Sequence, residues 1–565
     1  MPYRSIGWIF TVLTLALVVA GCRSPRQLAA DADRAAQRHV AMAQAAVLGR
    51  EPPSAFTIER PSDTLRRRLI LEQALPTRNE IPPTPSALRA EPMEIALTEA
   101  LQIAAFNSRE YQNQKESVFS AALALDREAD AFHHSLAGAI NTLLSGERGE
   151  GVESLKGTAE AGVTLTRKLE AGATLTTHLA LDVARLLTGS HTSSLGISLD
   201  ASISIPLLRG AGRAVAREPL TQVERRLLYA LRRFERFKQE FAVRLVSEYL
   251  SVLQQGQTVR NAAANLERVR EAHARAVKLA EAGRVPNLHV DQARQDLLRA
   301  ESRLNAVRQS FESRLDGFKI TLGLPPDARL ALRESELTAL ATEETPETPA
   351  FAPPSEAEAI RLAFQHRLDL QNVADAVEDA RRAVRLAEDA LRAGLTLKGN
   401  VATSDRAEGT DWSAARELSL DVRRHRWSVG LGYEAPWERT AARNQYRESL
   451  MALDRAQREY EEAEDRVKAE IRNGLRTLAE VREAVRIQTL SLDVARSRVA
   501  SVQLYLQAGR AEMRDLLEAQ DALVAAQDAL VSALVNRRLA ELQLQRDTGL
   551  FRVTTEGLEF HYETP

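Results

Sequence analysis

The sequence predicts a membrane α+β fold in which one unit of helix, strands and a very long helical hairpin is written twice in the same chain. Three observations predict it. Residues 194–205 alternate without a break between apolar and small or polar side chains. Two halves of the chain carry the same landmarks in the same order. The stretches between those landmarks keep a helical pattern far longer than a globular core uses.

The alternating stretch reads SLGISLDASISIPLLRGAGR from residue 194 to 213. Leu195, Ile197, Leu199, Ala201, Ile203 and Ile205 fall on one side of an extended chain, and Ser194, Gly196, Ser198, Asp200, Ser202 and Ser204 on the other. The apolar side needs either lipid or a protein core, and the run has the length of a tilted membrane strand. A soluble sandwich is the alternative, but few strand signals elsewhere would close its core. Further alternation occurs at 162–183, 395–402 and 426–435; in the last, Trp427, Val429, Leu431, Tyr433 and Ala435 share one face. Pro206 lacks an N–H and is expected to end the ladder, with Gly210 and Gly212 bending the chain into the helix that follows. Pro436 stands at the same place in the second copy.

The repeat is explicit. ALQIAAFNSREYQ (100–112) matches AIRLAFQHRLDLQ (359–371) at an offset of 259. Ala282-Gly283-Arg284 matches Ala508-Gly509-Arg510, and Gly323-Leu324 matches Gly549-Leu550, both at an offset of 226. The first copy holds 29 more residues than the second between its opening helix and its strand-ending proline. Long helices are expected over 213–281 and 438–507, the first about 100 Å long, with return helices over 287–322 and 513–548. Their apolar seams are narrow, as at Leu245, Tyr249, Leu250 and Leu253, which is coiled-coil rather than globular patterning.

The ends and composition bound the rest. The chain has 565 residues, a net charge of −2 and a single cysteine, so neither a nucleic-acid partner nor an internal disulfide is expected. MPYRSIGWIFTVLTLALVVAGC carries a basic start and an apolar run of thirteen residues, Trp8 to Ala20, too short to span a bilayer. Val19-Ala20-Gly21-Cys22 resembles a lipobox that would acylate Cys22; an ordinary signal with a chance cysteine is the alternative. The expected divisions are a signal at 1–21, an extension at 22–94, repeat 1 at 95–340, a Pro/Thr-rich acidic linker at 341–356, repeat 2 at 357–550 and a tail at 551–565.

Taken together, PLLRGAGR after an alternating strand, the Ala-Gly-Arg breaks and the two-copy layout resemble the outer-membrane efflux (TolC-like) family over roughly 96–550. The resemblance implies a homotrimer in which each protomer gives four strands to one twelve-stranded outer-membrane barrel, continued by a periplasmic coiled-coil tunnel. It implies a passive exit duct served by a periplasmic adaptor and an inner-membrane pump of RND, ABC or MFS type. It places the duct in outer-membrane lipid, and Arg23 rather than Asp after Cys22 fits that sorting. Gly283, Arg284, Gly509 and Arg510 would face the adaptor. Asp515 and Glu518, with Arg510 and Arg514 to pair them, would ring the closed periplasmic aperture. The longer strand region and the extension depart from the family pattern. No nucleophile cluster, cofactor loop or metal-ligand spacing has supporting context, so no enzyme and no cofactor is expected. The rival reading is a lipid-anchored periplasmic coiled-coil scaffold without a channel.

The anchor is separable from the wall. Cys22→Ser should abolish acyl labelling and leave membrane insertion intact, because strands and not the lipid do the spanning; acyl labelling that persists in the variant overturns the assignment.

Overall fold

The computed structural model describes residues 24–48, 56, 58, 65–73, 75, 92–149, 152–186, 193–342, 352–409, 421, 423–508, 510–553 and 560–562. They form two compact units, each gathered from three stretches of chain.

The strand unit takes its residues from 1–55, 118–231 and 373–459. Its centre is a six-stranded antiparallel sheet of β2 (Ser135–Gly149), β3 (Val152–Lys168), β4 (Thr174–Leu186), β5 (Ser193–Pro206), β7 (Gly394–Gly409) and β8 (Arg426–Glu434), in that order. Four of these strands belong to the first copy and two to the second. The resemblance implied four in all, so the described residues carry two more than expected. The extra residues of the first copy account for the added hairpin. Helix α1 (Pro25–Leu48) lies in the stretch the sequence marked only as an extension. It buries Ala35, Ala36 and Val40, and its His39 meets Asp126 at 3.3 Å.

The helical unit takes residues 56–117, 232–372 and 460–565. Its elements include α2 (Leu65–Glu72), α3 (Leu97–Asn107), α7 (Asn287–Thr321), α8 (Ser335–Thr342), α9 (Glu356–His366) and α12 (Met513–Thr548). Two small pairings join it: β1 (Met93–Ile95) lies parallel to β6 (Leu330–Leu332), and β9 (Phe551–Val553) antiparallel to β10 (Phe560–Tyr562). The unit boundary falls inside α4 (Arg109–Asp130), α6 (Glu218–Glu281), α10 (Leu368–Ala390) and α11 (Thr440–Gln507).

The expected long helix from 213 is interrupted. A short α5 (Arg213–Ala216) precedes α6, with Arg217 between them. Pro219 has no N–H to give the Val215 carbonyl and its ring crowds that turn, so a continuous helix is excluded there while Pro is tolerated in the first turn of α6. Beyond this point α6 runs for 64 residues and α11 for 68, each about 100 Å.

Packing in the helical unit follows the narrow seams. Leu245, Tyr249, Leu250 and Leu253 are all buried, and the Tyr249 hydroxyl donates to the Ile95 carbonyl at 3.1 Å. Tyr111 packs against Phe234, Phe237 and Phe241 with ring centroids 5.5–6.1 Å apart. Farther along, Ala262, Leu266 and Val269 of α6 share a cluster with Ala300 and Leu304 of α7 and Leu517 of α12. Small Ala at these contacts lets the helices approach closely.

Both copies stop their helices in the same way. After α7, Gly323 takes φ +78° while its N–H bonds to the Ile320 carbonyl and that of Leu324 to the Lys319 carbonyl. After α12, Gly549 takes φ +77° with Gly549 to Arg546 and Leu550 to Gln545. These are Schellman stops, which use the carbonyls a helix end leaves unpaired. The partners repeat as well. A Cβ on Gly323 would lie 2.0 Å from the Asn107 oxygen at the end of α3, and one on Gly549 would lie 2.7 Å from His366 Cβ at the end of α9. Asn107 and His366 are 259 residues apart, the repeat offset itself.

The two costs of replacing such a glycine can be separated. Gly283 at the end of α6 also has positive φ, +71°, but a Cβ there meets nothing within 4 Å. Gly283→Ala should cost about 1–2 kcal/mol, the conformational term alone. Gly323→Ala should cost clearly more, because its methyl meets fixed backbone; equal shifts in thermal unfolding of the two variants would refute the close packing of this stop.

Candidate functional site

Strand register assigns each side chain to one of two faces. Leu195, Ile197, Leu199, Ala201 and Ile203 of β5 lie opposite Val183, Leu181, Leu179, Thr177 and Leu175 of β4. On the other side Ile203 and Ile205 lie opposite Gly399 and Leu397 of β7, which lie opposite Val429 and Leu431 of β8. The row continues through Leu165, Val163 and Ala161 of β3 to Leu136, Gly138 and Ile140 of β2. Leu136, Ile140, Leu144, Leu175, Leu179, Val401, Trp427, Val429, Leu431 and Tyr433 are exposed on this face, and among the described residues only Leu143 of the exposed large apolar strand side chains is on the other. Leu136 is 72% exposed and Tyr433 69%, so among the described residues nothing covers the ends of this surface. Among the described residues no helix is long and apolar enough to cross a membrane.

The opposite face is polar and internally paired. Asp182 of β4, Gly196 of β5 and Arg406 of β7 occupy one rung. Gly196 has no side chain, and Asp182 fills its place: a Cβ on Gly196 would lie 2.3 Å from Asp182 Oδ1. Asp182 Oδ2 thereby reaches Arg406 Nη2 at 2.7 Å across the intervening strand. Four residues along β5 from that rung, Asp200 Oδ2 accepts from Asn400 Nδ2 of β7 at 2.6 Å.

The chain leaves the sheet at a built junction. Pro206 is the last residue of β5, and two backbone bonds follow it: the Leu207 N–H donates to the Leu395 carbonyl at 2.7 Å and that of Arg209 to Ala393 at 3.3 Å. The residue pairing of the ladder ends at Pro206, and these two backbone bonds only guide the chain toward the bend. The bend comes at Gly210, φ +80°, and Gly212, φ +97°, and the Gly210 N–H is held by buried Asp389 Oδ2 at 2.7 Å. In the second copy Pro436 precedes α11, and its carbonyl accepts from Arg439 Nε at 3.4 Å. The neighbouring Trp437 is fully exposed.

At the far ends of the hairpins, Gly283 and Arg284 form another Schellman stop, with Gly283 to Ala280 and Arg284 to Leu279, both 2.9 Å. The Arg510 N–H bonds to the Tyr505 carbonyl at 2.8 Å in the matching place, while Gly509 and Cys22 lie outside the described residues. Asp515 and Glu518 are used differently. Asp515 Oδ2 accepts the Glu512 N–H at 2.9 Å and caps α12, whereas Glu518 pairs with Arg514 at 3.3 Å. Arg514 and Glu518 line a groove of about 720 Å³ together with His289, Gln292 and Asp296 of α7. Sequence reading missed the polar links that fix the helices at and beside this groove. Buried Asn261 and Asn265 donate to Asp528 and Asp521 at 2.7 and 3.1 Å. Asn at two seam positions one turn apart was the available signal.

These features define a class of fold: an antiparallel sheet with one apolar and one polar face, served by two very long helical hairpins. Several of the solved structures that match are described as outer-membrane channels. The outer-membrane protein VceC from Vibrio cholerae matches with a TM-score of 0.58 at 14% identity, over 80% of this chain and 96% of that one. The Campylobacter jejuni CmeC outer-membrane channel gives 0.59 at 13%, over 80% and 85%. The open state of the Neisseria gonorrhoeae MtrE outer-membrane channel gives 0.57 at 14%, over 80% and 88%. No family model and no curated protein matches the sequence. The chain has the TolC-like fold of these channels.

The face assignment has a direct test. Ile203→Arg should impair insertion by about 2–4 kcal/mol if near the midplane. Ser202→Arg, one residue away on the polar face, should insert normally. Equal loss of heat-modifiable protein from membranes in both variants refutes the assignment.

Proposed function

We propose that this protein is a passive exit duct across the outer membrane, serving a tripartite efflux pump or a type I secretion system. One observation carries the reading: a six-stranded sheet keeps one continuous apolar face and one paired polar face in a chain with the fold of outer-membrane channels. A wall between lipid and water requires that division, and a scaffold held only by its lipid does not. Three copies close the wall into a barrel, and the helical hairpins continue it as a tunnel in the periplasm. A periplasmic adaptor grips the tips around Gly283, Arg284, Gly509 and Arg510, and an inner-membrane pump supplies the energy. Acylated Cys22 holds the N-terminus to the same membrane.

The entrance lies at the start of α12. Glu518 and Asp515 of three copies bring carboxylates to one constriction, where they repel each other and attract cations. The Arg514–Glu518 pair and the capping use of Asp515 hold this turn closed.

Extraction should need detergent and yield a heat-modifiable trimer that conducts ions in planar bilayers. Delipidated protein that is soluble and monomeric without detergent overturns the duct. In a conducting trimer, Asp515→Asn combined with Glu518→Gln should lower cation selectivity and divalent-ion block; unchanged selectivity and block move the entrance elsewhere.

A further inference from the structure

The strand count bears on how wide the duct is. The two additional strands are no appendage to the sheet. β3 pairs with β4 in unbroken register from Lys156–Leu186 to Lys168–Thr174. The turn between them is fitted into the junction where the chain enters α5. Glu170 pairs with Arg213 at 2.9 Å, and the Gly212 N–H donates to the Ala171 carbonyl at 3.4 Å. At Gly172 a Cβ would lie 2.9 Å from the Gly210 carbonyl oxygen and 3.1 Å from Pro206 Cγ, so this turn is packed against backbone and ring. The apolar face also runs through the added hairpin without interruption, by Leu165 and Val163 of β3 to Leu136 and Ile140 of β2.

Among the described residues the sheet ends in two open edges: in the strand order β2 neighbours only β3, and β8 only β7. A lipid-embedded wall cannot leave such edges unpaired, because hydrocarbon offers their N–H and C=O groups no partner. Chain direction says what can pair with them. β2 begins at the end of the sheet where Pro206 leaves it, and β8 finishes at that same end. A β8 edge set beside the β2 edge of a second copy is therefore antiparallel, like every neighbouring pair of this sheet.

We infer that three copies close by pairing β8 of one with β2 of the next into an eighteen-stranded barrel. The inference rests on the trimeric duct proposed above. Barrel width grows roughly linearly with strand number, so this lumen is about 1.5 times as wide and about 2.25 times as large in section as a twelve-stranded one. The occupant of both edges is another copy of this chain. The strand portion of the duct passes bulkier cargo than a twelve-stranded wall.

Cysteine cross-linking in native membranes reads the closure. In a Cys22→Ser background, Ser428→Cys on the polar face of β8 is combined with Ala137→Cys, Ala139→Cys or Asn141→Cys across the possible registers of β2. In a parallel set it is combined with Thr174→Cys, Thr176→Cys or His178→Cys on the polar face of β4. Within one chain these sites are three or more strands apart, so any disulfide formed by an added oxidant joins two copies. At least one β2 combination should give a covalent trimer, and no β4 combination should. Linkage to β4 instead means that the added hairpin stands outside a twelve-stranded barrel; this overturns the inference and leaves the duct intact. A conducting trimer that links at neither edge overturns the closure alone. A chain that extracts as a monomer without channel activity overturns the duct and the inference together.

Discussion

The constraint on which the rest of this structure depends is that each strand of the sheet must satisfy two different surroundings at once. A period of two side chains delivers this only if register is kept across all six strands, since a slip of one residue would turn an apolar row to the polar side. Two devices hold the register. Hairpin connections set it between strands consecutive in the chain, and polar pairs set it across strands, most clearly where Asp182 and Arg406 meet over Gly196. The glycine in that rung acts by absence, since any side chain would separate the two charges.

The helices meet a different demand. They are long, and only a narrow seam of each is apolar, so burial alone specifies their register weakly. Buried polar links supply the specificity. Arg367, 5% exposed, reaches Asp369 at 2.6 Å and Glu470 at 2.5 Å. Burial opposes its charge, but the hydrogen bonds to the two carboxylates more than offset this and raise its pKa, while that of Asp369 is lowered by the same contact. Together with Asn261 and Asn265, these pairs permit few alternative alignments, because sliding a helix by one turn would leave buried polar groups unpaired.

Much of this was legible in the sequence wherever the information is local. β5 and β8 show strict alternation, and the Ala-Gly-Arg and Gly-Leu landmarks mark helix ends because the Schellman stop needs a residue at positive φ. β7 was read only to Ala402, because Asp405, Arg406 and Glu408 look like loop; pairing with β5 carries the strand on to Gly409. β2 was invisible. Ala137, Gly138 and Ala139 blur its period, and Leu143-Leu144 breaks it, so its strand state comes from fifteen paired residues of β3. The capping role of Asp515 was legible in principle from its three-residue spacing to Glu512. Of the Asn–Asp links only the Asn half was legible, from its seam positions, since the partners lie more than 250 residues away in the chain.

The hairpin topology also limits how such a protein can diverge. Each repeat must enter and leave its strands on the side where its helices begin, so each can gain or lose strands only in pairs. Helix length can drift by single turns and loops by single residues, but the wall cannot. Relatives with this plan should therefore fall into discrete girths with nothing between them. The step is set by hairpins per repeat multiplied by copies per ring, and selection for a slightly wider opening has no small mutation through which to act.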